Sequence, residues 1–512
     1  MFSKKILFII LFFLTLVTRF YKLDWGNHLF FHPDENNMAH AISRLTLDNL
    51  DPDFYAYGQF PLYLSFFTLK LIGLPLSFST AVFTLRFWSA VFSGFSVLLV
   101  LLISRKLFLR LTPSILSTLL VIFCPVLIQF SHFGTTESLL IFVFLFNIYS
   151  AQKLLNKPNL LPIIFSGIVS GLGLGSKITA LFLMTPIFFS LTPLLRQKRE
   201  FLKFILYHLL FVYLSFVVFI IVSPYSFINF SDFISSMNYE TSVALGTSKV
   251  FYTNQFLSST PYLFQLQKIF PYTLGLPVYV FGLLGFIVLI FSAPKLYRWP
   301  LILLPTLIFF LYNGQLYTKW TRFLAPIYFV FPLLAAYFIN QFKNKLFMTL
   351  LVFLSILPGI IFINLYLHPD IRLQASRWIQ SHIPANATIL SEAGNVIDIP
   401  VSSTPYQLNH LDFYNIDQNR DLAEKLINSI PQNDYILVPS RRMFKNQFGP
   451  QFPVSRNYYQ NLFNGRLGFT QIKKIEVFTD PFLNPENAEE TWTVFDHPTI
   501  RIFKKTTQLS TQ

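Results

Sequence analysis

The chain is built largely from long apolar runs separated by short polar segments. A helix needs roughly 20 apolar residues to cross the core of a bilayer, and eleven runs come close to that length. Only 12% of the residues are charged, about half the ~25% that is usual in soluble domains. The sequence therefore predicts a polytopic α-helical membrane protein. Its spans are predicted at 5–20, 84–104, 113–131, 137–154, 160–176, 178–195, 202–222, 274–292, 299–313, 322–340 and 346–366.

The first run, 5–20, follows Lys4 and Lys5, as the apolar part of a signal peptide would. However, no small-residue cleavage site follows it, and the run ends at Arg19. We therefore expect an uncleaved first span.

Lysine and arginine predict the orientation of the spans. The net charge of +15 comes from 39 basic and 24 acidic residues, and most of the excess lies in short loops. Loops rich in Lys and Arg face the cytoplasm in membrane proteins. No nucleic-acid-binding module accompanies this charge. We expect an integral plasma (inner) membrane protein with a cytoplasmic N-terminus. Its basic inner loops would be 105–110, 153–157, 196–203, 295–298 and 343–345, and its outer segments 21–83, 223–272 and everything after 367.

Two regions outside the spans have their own character. A full crossing by the apolar stretch 60–76 would put the later basic loops outside, so we predict an interfacial helix there. Residues 367–512 are polar and predict a small extracytoplasmic α/β domain that follows a membrane domain at 1–366. Its predicted elements are a helix at 371–383, a strand at 387–390, a helix at 421–430 and a strand at 435–438.

The tetrad His32-Pro33-Asp34-Glu35 stands just beyond the first span. Proline suits the first position of a helix and acids favour its first turn, so 33–46 predicts an amphipathic helix on the outer membrane surface. The simpler explanation of the two acids is that they stabilise this helix start. The functional hypothesis is that Asp34 takes a proton from a hydroxyl group in a partly dehydrated cleft.

Four further charged residues are predicted at the same membrane face: Glu137, Lys177, Lys319 and Arg322. Ionisable groups at membrane depth usually face a bundle interior or a cavity, and the cations are suited to a lipid-linked phosphate. Capping by Thr135 or Thr136 would explain Glu137 equally well. Snorkelling to lipid headgroups would explain each cation taken alone.

Metal and disulfide chemistry receive little support. The single cysteine, Cys124, excludes an intramolecular disulfide and a cysteine-based zinc site. His28, His32 and His40 lie near the acidic pair, but their spacing matches no strong metal motif. No cofactor is predicted, and a bound divalent metal is the less favoured interpretation.

The order of the motifs resembles a known family. The tetrad is followed by Gln59-Phe60-Pro61-Leu62-Tyr63, by Arg86-Phe87 at a span start, by Thr136-Glu137, by Gly-Leu-Gly-Leu-Gly-Ser-Lys at 171–177, and by Arg322-Phe323-Leu324-Ala325-Pro326. Over about residues 5–366 this resembles the GT-C superfamily of glycosyltransferases, in the protein O-mannosyltransferase and aminoarabinose transferase branch. Ala375–Pro384 and Thr493–Thr499 resemble the soluble tail of bacterial members.

The resemblance implies a polyprenyl-phosphate-linked sugar as donor, an active site on the outer face and an inverting single displacement. Asp34 would be the base, with Glu35 beside it, and Glu137 would match an acid that is often Asp in relatives. Lys177 or Arg322 would neutralise the departing polyprenyl phosphate, and Lys319, a cation predicted at the same face, is a further candidate for the donor phosphate. A glycan, a lipid and a protein remain open as acceptors. Further site candidates in or beside these motifs are His32, Gln59, Tyr63 and His132.

Two other classes have a similar composition. A transporter or lipid flippase would show internal repeats and ionisable groups near the midplane, whereas no repeat is evident and the notable charges cluster at one face. An oligosaccharide ligase or polymerase would carry a large outer loop rich in Arg and His, but 223–272 contains neither residue type.

Overall fold

The computed structural model describes residues 4–196, 200–292, 298–393, 398–478 and 480–506. Lys198, Arg199 and Lys295, which belong to the predicted inner loops, lie outside the described residues. The described chain divides into two compact units. The first contains the residues up to Leu23, Asp34–Leu245 and Pro261–Ile363, and the second contains Asp24–Pro33, Gly246–Thr260 and the chain from Asn364 onward.

The first unit is helical. Every predicted span overlaps a helix or a run of short helices. The α-helices up to the end of this unit are α1 Lys4–Phe20, α2 Pro33–Arg44, α3 Phe60–Ile72, α4 Phe78–Phe108, α5 Leu111–Ile122, α6 Pro125–His132, α7 Glu137–Asn156, α8 Leu160–Leu174, α9 Thr185–Leu191, α10 Phe201–Val222, α11 Tyr225–Ile228, α12 Phe230–Leu245, α13 Phe270–Thr273, α14 Leu276–Phe291, α15 Pro300–Gly314, α16 Val330–Ile339 and α17 Lys345–Leu367.

Tighter or wider helical turns continue some of these helices. They are the 3₁₀ segments Ile178–Met184, Thr192–Arg196 and Thr321–Ile327 and the π segment Gln265–Ile269. Among the described residues, five helical stretches are long and apolar enough to cross a membrane, or up to eight if each sharply bent pair counts as one span. The fold is thus a polytopic helical one, while the count of eleven spans stays a prediction.

Proline and a buried arginine shape one of the bent pairs. Pro125 begins α6 directly after α5, and the two helices meet at 52°. A break of this kind leaves the last carbonyls of α5 without helical partners. Arg19 is the partner of two of these carbonyls, because its guanidinium donates to the carbonyls of Val121 and Ile122 at 2.8 and 3.0 Å.

Burial differs widely among the helices. In the most apolar window of α7, 72% of the residues are buried, against 17% in α10 and 28% in α17. An exposed apolar helix face is what lipid contact requires. Helix α7, which begins at Glu137, is therefore an interior helix of the first unit.

The second unit contains a five-stranded sheet with the order β2-β1-β3-β5-β4. Strands β1 Thr388–Ala393, β2 Gln407–Asp412 and β3 Tyr435–Val438 are parallel, whereas β4 Phe469–Ile475 and β5 Ile500–Lys505 complete it in antiparallel fashion. Its helices are α18 Ile371–His382, α19 Arg420–Ser429, α20 Arg442–Asn446, α21 Pro453–Phe463 and α22 Glu490–Val494, with 3₁₀ turns at Phe251–Phe256, Ile430–Gln432 and Pro485–Asn487.

Alternating side chains build a core on each face of this sheet. Ile389 and Leu437 pack with α18 on one face, whereas Leu390 and Ile436 pack with α19 and α21 on the other. The segment 246–260 joins this unit because its Phe251 ring lies 4.1 Å from the Tyr414 ring. The unit thus recruits 24–33 and 246–260, which the sequence grouped with the membrane domain.

Candidate active site

The adjacent acids Asp34 and Glu35 lie in different surroundings. Successive side chains of a helix point about 100° apart, so the first turn of α2 sends them in different directions. Glu35 is completely buried. Its Oε1 accepts from Arg86 Nε at 2.8 Å and from the Gly134 amide at 2.6 Å, and its Oε2 accepts from Arg86 Nη2 at 2.7 Å.

Arg86 on α4 completes this buried pair. Its Nη1 donates to the Leu23 carbonyl at 3.0 Å, so the pair ties together the start of the first loop, α2, α4 and the turn before α7. A carboxylate engaged by a bidentate guanidinium and a backbone amide has little capacity left for a substrate proton. Glu35 is thus placed to hold α2 against α4 and not to contact a substrate.

Asp34, in contrast, pairs with Arg322 and keeps partial solvent access. Its Oδ2 accepts from Arg322 Nη1, and the side chains of Asp34 and Arg322 are 16% and 24% exposed. Arg322 follows Trp320, whose ring centroid lies 4.9 Å from the guanidinium carbon. The structure thus brings together two residues that the sequence singled out 288 positions apart.

Two glycines place Lys177 beside the first loop. The amides of Gly58 and Phe60 donate to the carbonyls of Ser176 and Gly175, each at 2.9 Å. A Cβ at Gly58 would lie 2.2 Å from the Gly175 carbonyl oxygen, so only glycine permits this approach. As a result Lys177 Nζ lies 5.4 Å from the Tyr57 ring centroid.

Glu137, at the first position of α7, accompanies Lys177. Its Oε1 lies 4.0 Å from Lys177 Nζ and its side chain is 3% exposed. Burial lowers the pKa of the Lys177 amine, and the nearby Glu137 carboxylate opposes that change. Thr136 occupies the N-cap position but makes no side-chain capping bond, so the capping explanation of this segment finds no support.

A cavity of about 230 Å³ is bordered by Lys177 and Arg322, whereas their partners Glu137 and Asp34 are not among its lining residues. Its charged and polar wall includes Tyr57, Lys177, Glu240 and Arg322, whereas most of the remaining wall is apolar. A compartment with one ionic end and an apolar body matches an amphipathic ligand. The apolar lining includes Leu140, Leu174, Ile178, Phe219, Phe233, Met237, Leu245, Phe309, Leu316, Phe323 and Pro326.

The sequence did not point to two residues of this wall. Tyr57 precedes the Gly58 contact, and burial raises the pKa of its hydroxyl far above the usual value. Glu240 lies on α12, and its exposed side chain borders the cavity. A signal for Glu240 was present, because Phe233, Met237, Glu240 and Ala244 recur at helical spacing on one face.

The remaining phosphate candidate, Lys319, lies outside the cavity wall. Its Nζ donates to the Tyr317 carbonyl at 2.9 Å and the residue is 3% exposed. Burial lowers the pKa of its amine. Its surroundings match neither the predicted phosphate contact nor snorkelling to a headgroup.

The other four candidates, His32, Gln59, Tyr63 and His132, contact other parts of the protein and do not line the cavity. The His132 ring nitrogens contact the carbonyls of Ile128 and Tyr21 at 2.8 and 2.9 Å. Gln59 Oε1 accepts from the Tyr225 amide at 3.0 Å and from the Tyr63 hydroxyl at 3.3 Å, which fixes the entry to α3.

His32 belongs to the second unit, where its ring lies 4.4 Å from that of Phe495. None of His32, Gln59, Tyr63 and His132 lines the cavity. Within the described ranges, no group of three or more His, Cys, Asp or Glu side chains could hold a metal ion.

Comparisons with known proteins show what this chain is similar to. Residues 67–226 match the family model described as dolichyl-phosphate-mannose-protein mannosyltransferase. This range contains Glu137 and Lys177 and stops short of Glu240. A comparison with curated protein sequences gives no match.

Solved structures share the fold. The apo oligosaccharyltransferase of Archaeoglobus fulgidus is 13% identical with a TM-score of 0.53, and the match covers 88% of this chain and 72% of that chain. The same enzyme with an inhibitory peptide and a dolichol-phosphate is 12% identical with a TM-score of 0.54 over the same shares. ArnT of Cupriavidus metallidurans bound to undecaprenyl phosphate is 10% identical with a TM-score of 0.49, covering 96% of both chains.

Proposed function

We propose that the protein is a glycosyltransferase. The family match and the shared fold support this proposal, because they show that the chain is similar to GT-C glycosyltransferases of the mannosyltransferase-like kind, as its sequence predicted. The protein moves a sugar from a polyprenyl-phosphate-linked donor to an acceptor hydroxyl group, with inversion at the anomeric carbon. The observation that carries this proposal is the cavity with an apolar body and two cations, one of them paired with Asp34.

The cavity has the features that a lipid-linked donor needs. The apolar wall suits the first isoprene units, while Lys177 and Arg322 offer positive charge to the phosphate. A guanidinium can hold two phosphate oxygens at once, and an ammonium acts as a point charge. These charges stabilise the phosphate that leaves when the sugar is transferred.

Asp34 is the base in this mechanism. The acceptor oxygen attacks the anomeric carbon, its proton passes to an Asp34 carboxylate oxygen, and the bond from that carbon to the phosphate oxygen breaks. The bonding electrons remain on the polyprenyl phosphate. One displacement inverts the configuration and needs a single base, because the phosphate is already a good leaving group.

Arg322 couples donor binding to this base. Without a donor, its guanidinium neutralises Asp34. A donor phosphate competes for the same guanidinium and frees carboxylate lone pairs for the acceptor hydroxyl. A carboxylate that loses a cationic partner also becomes a stronger base. Donor binding thus prepares Asp34 for the acceptor.

The other charged candidates take supporting roles in this proposal. Glu35 holds Arg86 and fixes the start of α2, where Asp34 lies. Glu137 positions the Lys177 amine. Lys319 is not a phosphate ligand, because it is engaged away from the cavity wall.

The cellular setting follows from the charge pattern. With the basic loops in the cytoplasm, the cavity end that holds Lys177 and Arg322 faces the outside of the plasma membrane. The domain from 367 onward is extracytoplasmic as well. The donor lipid and the acceptor, whether glycan, lipid or protein, then meet at the outer leaflet.

Transfer by Asp34→Asn protein tests the proposal. Purified protein in lipid nanodiscs receives undecaprenyl phosphate carrying labelled mannose, with a membrane extract of the native cells as acceptor source. We expect D34N to transfer label about 100- to 10,000-fold more slowly, the usual contribution of a general base. Asp48→Asn, an exposed acid of the same loop, is the matched control. Transfer by D34N at the wild-type rate excludes Asp34 as the base.

A further inference from the structure

Glu240 is a cavity residue without a role in the mechanism above. It projects from α12 on the same face as Phe233 and Met237, which line the apolar wall. The wall of the same cavity also carries Lys177 and Arg322. Helix α12 therefore presents one carboxylate to the space that two cations also face.

The charges around this space are unequal in number. Asp34 pairs with Arg322 and Glu137 pairs with Lys177. Glu240 makes no salt bridge or hydrogen bond with a residue of the described ranges, although it lies within electrostatic range of both cations. The Glu240 side chain is exposed and lines the cavity, so its carboxylate oxygens are available to hydroxyl groups of a ligand.

We propose that Glu240 binds hydroxyl groups of the sugar carried by the donor lipid, so that it selects the sugar-loaded lipid over the bare lipid phosphate. This inference rests on the proposed function. The sugar is bonded directly to the phosphate, so a phosphate between Lys177 and Arg322 leaves the sugar as its nearest neighbour in the cavity.

The chemistry of the carboxylate fits this assignment. It accepts hydrogen bonds from two neighbouring hydroxyl groups, and charge-assisted bonds of this kind are roughly twice as strong as neutral ones. Toward a bare phosphate the same carboxylate is repulsive. Glu240 therefore adds affinity for the sugar and subtracts affinity for the product lipid, which also favours product release.

Equilibrium binding separates the two lipids. Wild-type protein in nanodiscs is titrated with undecaprenyl phosphate and with undecaprenyl phosphate mannose. We expect tighter binding of the mannosyl lipid. Glu240→Ala lowers affinity for the mannosyl lipid about tenfold to a hundredfold, the loss that corresponds to one or two charge-assisted hydrogen bonds, and leaves or slightly raises affinity for the bare lipid. Glu240→Gln retains an acceptor oxygen, so its affinity for the mannosyl lipid falls between those of the wild type and E240A.

Asp232→Ala is the matched control, because Asp232 lies on the same helix, is exposed and does not line the cavity. It binds both lipids like the wild type. If E240A keeps the wild-type preference for the mannosyl lipid, or loses both lipids equally, the assignment of Glu240 is wrong while lipid binding by the cavity stands. If the wild type binds neither lipid, the proposed function fails and this inference with it.

Discussion

Substitutions of the adjacent acids Asp34 and Glu35 should differ clearly in their effect on the stability of the protein. We expect Glu35→Gln to destabilise the protein and Asp34→Asn to leave its stability nearly unchanged. Glu35 has no exposed surface and accepts three hydrogen bonds, two from Arg86 and one from the Gly134 amide. Asp34 pairs with Arg322 in a partly exposed position.

The magnitudes follow from burial. Removing one partner of a buried ion pair leaves the other charge uncompensated, which typically costs about 3–5 kcal/mol. The E35Q protein keeps one acceptor oxygen but leaves the Arg86 charge unneutralised, so we expect a loss in this range. An ion pair with solvent access contributes about 1 kcal/mol or less, so D34N should lie within that margin.

Unfolding of the purified variants in the same detergent measures this difference. A double variant supplies the control, because Glu35→Gln combined with Arg86→Met removes both charges together and should recover part of the lost stability. E35Q protein with wild-type stability and no transfer activity would refute the reasoning, since that result would place Glu35 in the chemistry instead of the architecture.

Three more predictions concern the cavity and the second unit. Lys177→Met should weaken undecaprenyl phosphate binding about tenfold or more, the cost of a charge-assisted contact, and Lys319→Met should not; equal losses would return Lys319 to the phosphate site. Gly58→Ala should reduce lipid binding and transfer, because its Cβ would lie 2.2 Å from a carbonyl oxygen, whereas Gly94→Ala has its nearest neighbour at 4.0 Å and should be tolerated; equal activity of both contradicts the close approach. Burial raises the pKa of Glu392 to about 8, so the stability of the second unit should be full below about pH 4.5 and fall until about pH 8, because the unfolded state ionises first; thermal unfolding of Glu392→Gln protein should lack this fall.

The sequence predicted the helices of the first unit well, because a helix that contacts lipid needs a continuous run of apolar residues, and such a run is visible in the local sequence. The span predicted at 202–222, for example, forms as α10, Phe201–Val222, which is largely exposed and apolar. The proline, acids and apolar spacing at 33–46 likewise predicted α2, Pro33–Arg44. Each of these signals lies within a few turns of helix.

The site could be predicted only in part, because its contacts join distant positions. The sequence singled out Asp34 as the expected base, but it could not show that Glu35 meets a buried arginine, because that contact depends on the rotation of α2 against α4. The sequence did not point to Glu240, because the long segment 223–272 stands out in composition only by its lack of Arg and His. The readable signal was the face that Glu240 shares with Phe233 and Met237.

The division into units also depends on contacts between distant positions. Residues 24–33 and 246–260 lie outside the predicted spans, and nothing local in them predicts packing with the chain beyond Asn364. Gln255, for instance, donates to the Glu489 carboxylate at 2.9 Å, 234 positions away. Such pairings follow only from the folded sheet and its helices.

A structure of the protein in nanodiscs with undecaprenyl phosphate bound tests the central claim most directly. The account predicts the lipid chain along the apolar wall of the cavity, the phosphate in contact with Lys177 and Arg322, and Arg322 drawn away from Asp34. A phosphate bound elsewhere, or one bound in the cavity with the Asp34–Arg322 pair intact, would contradict the coupling of donor binding to the base.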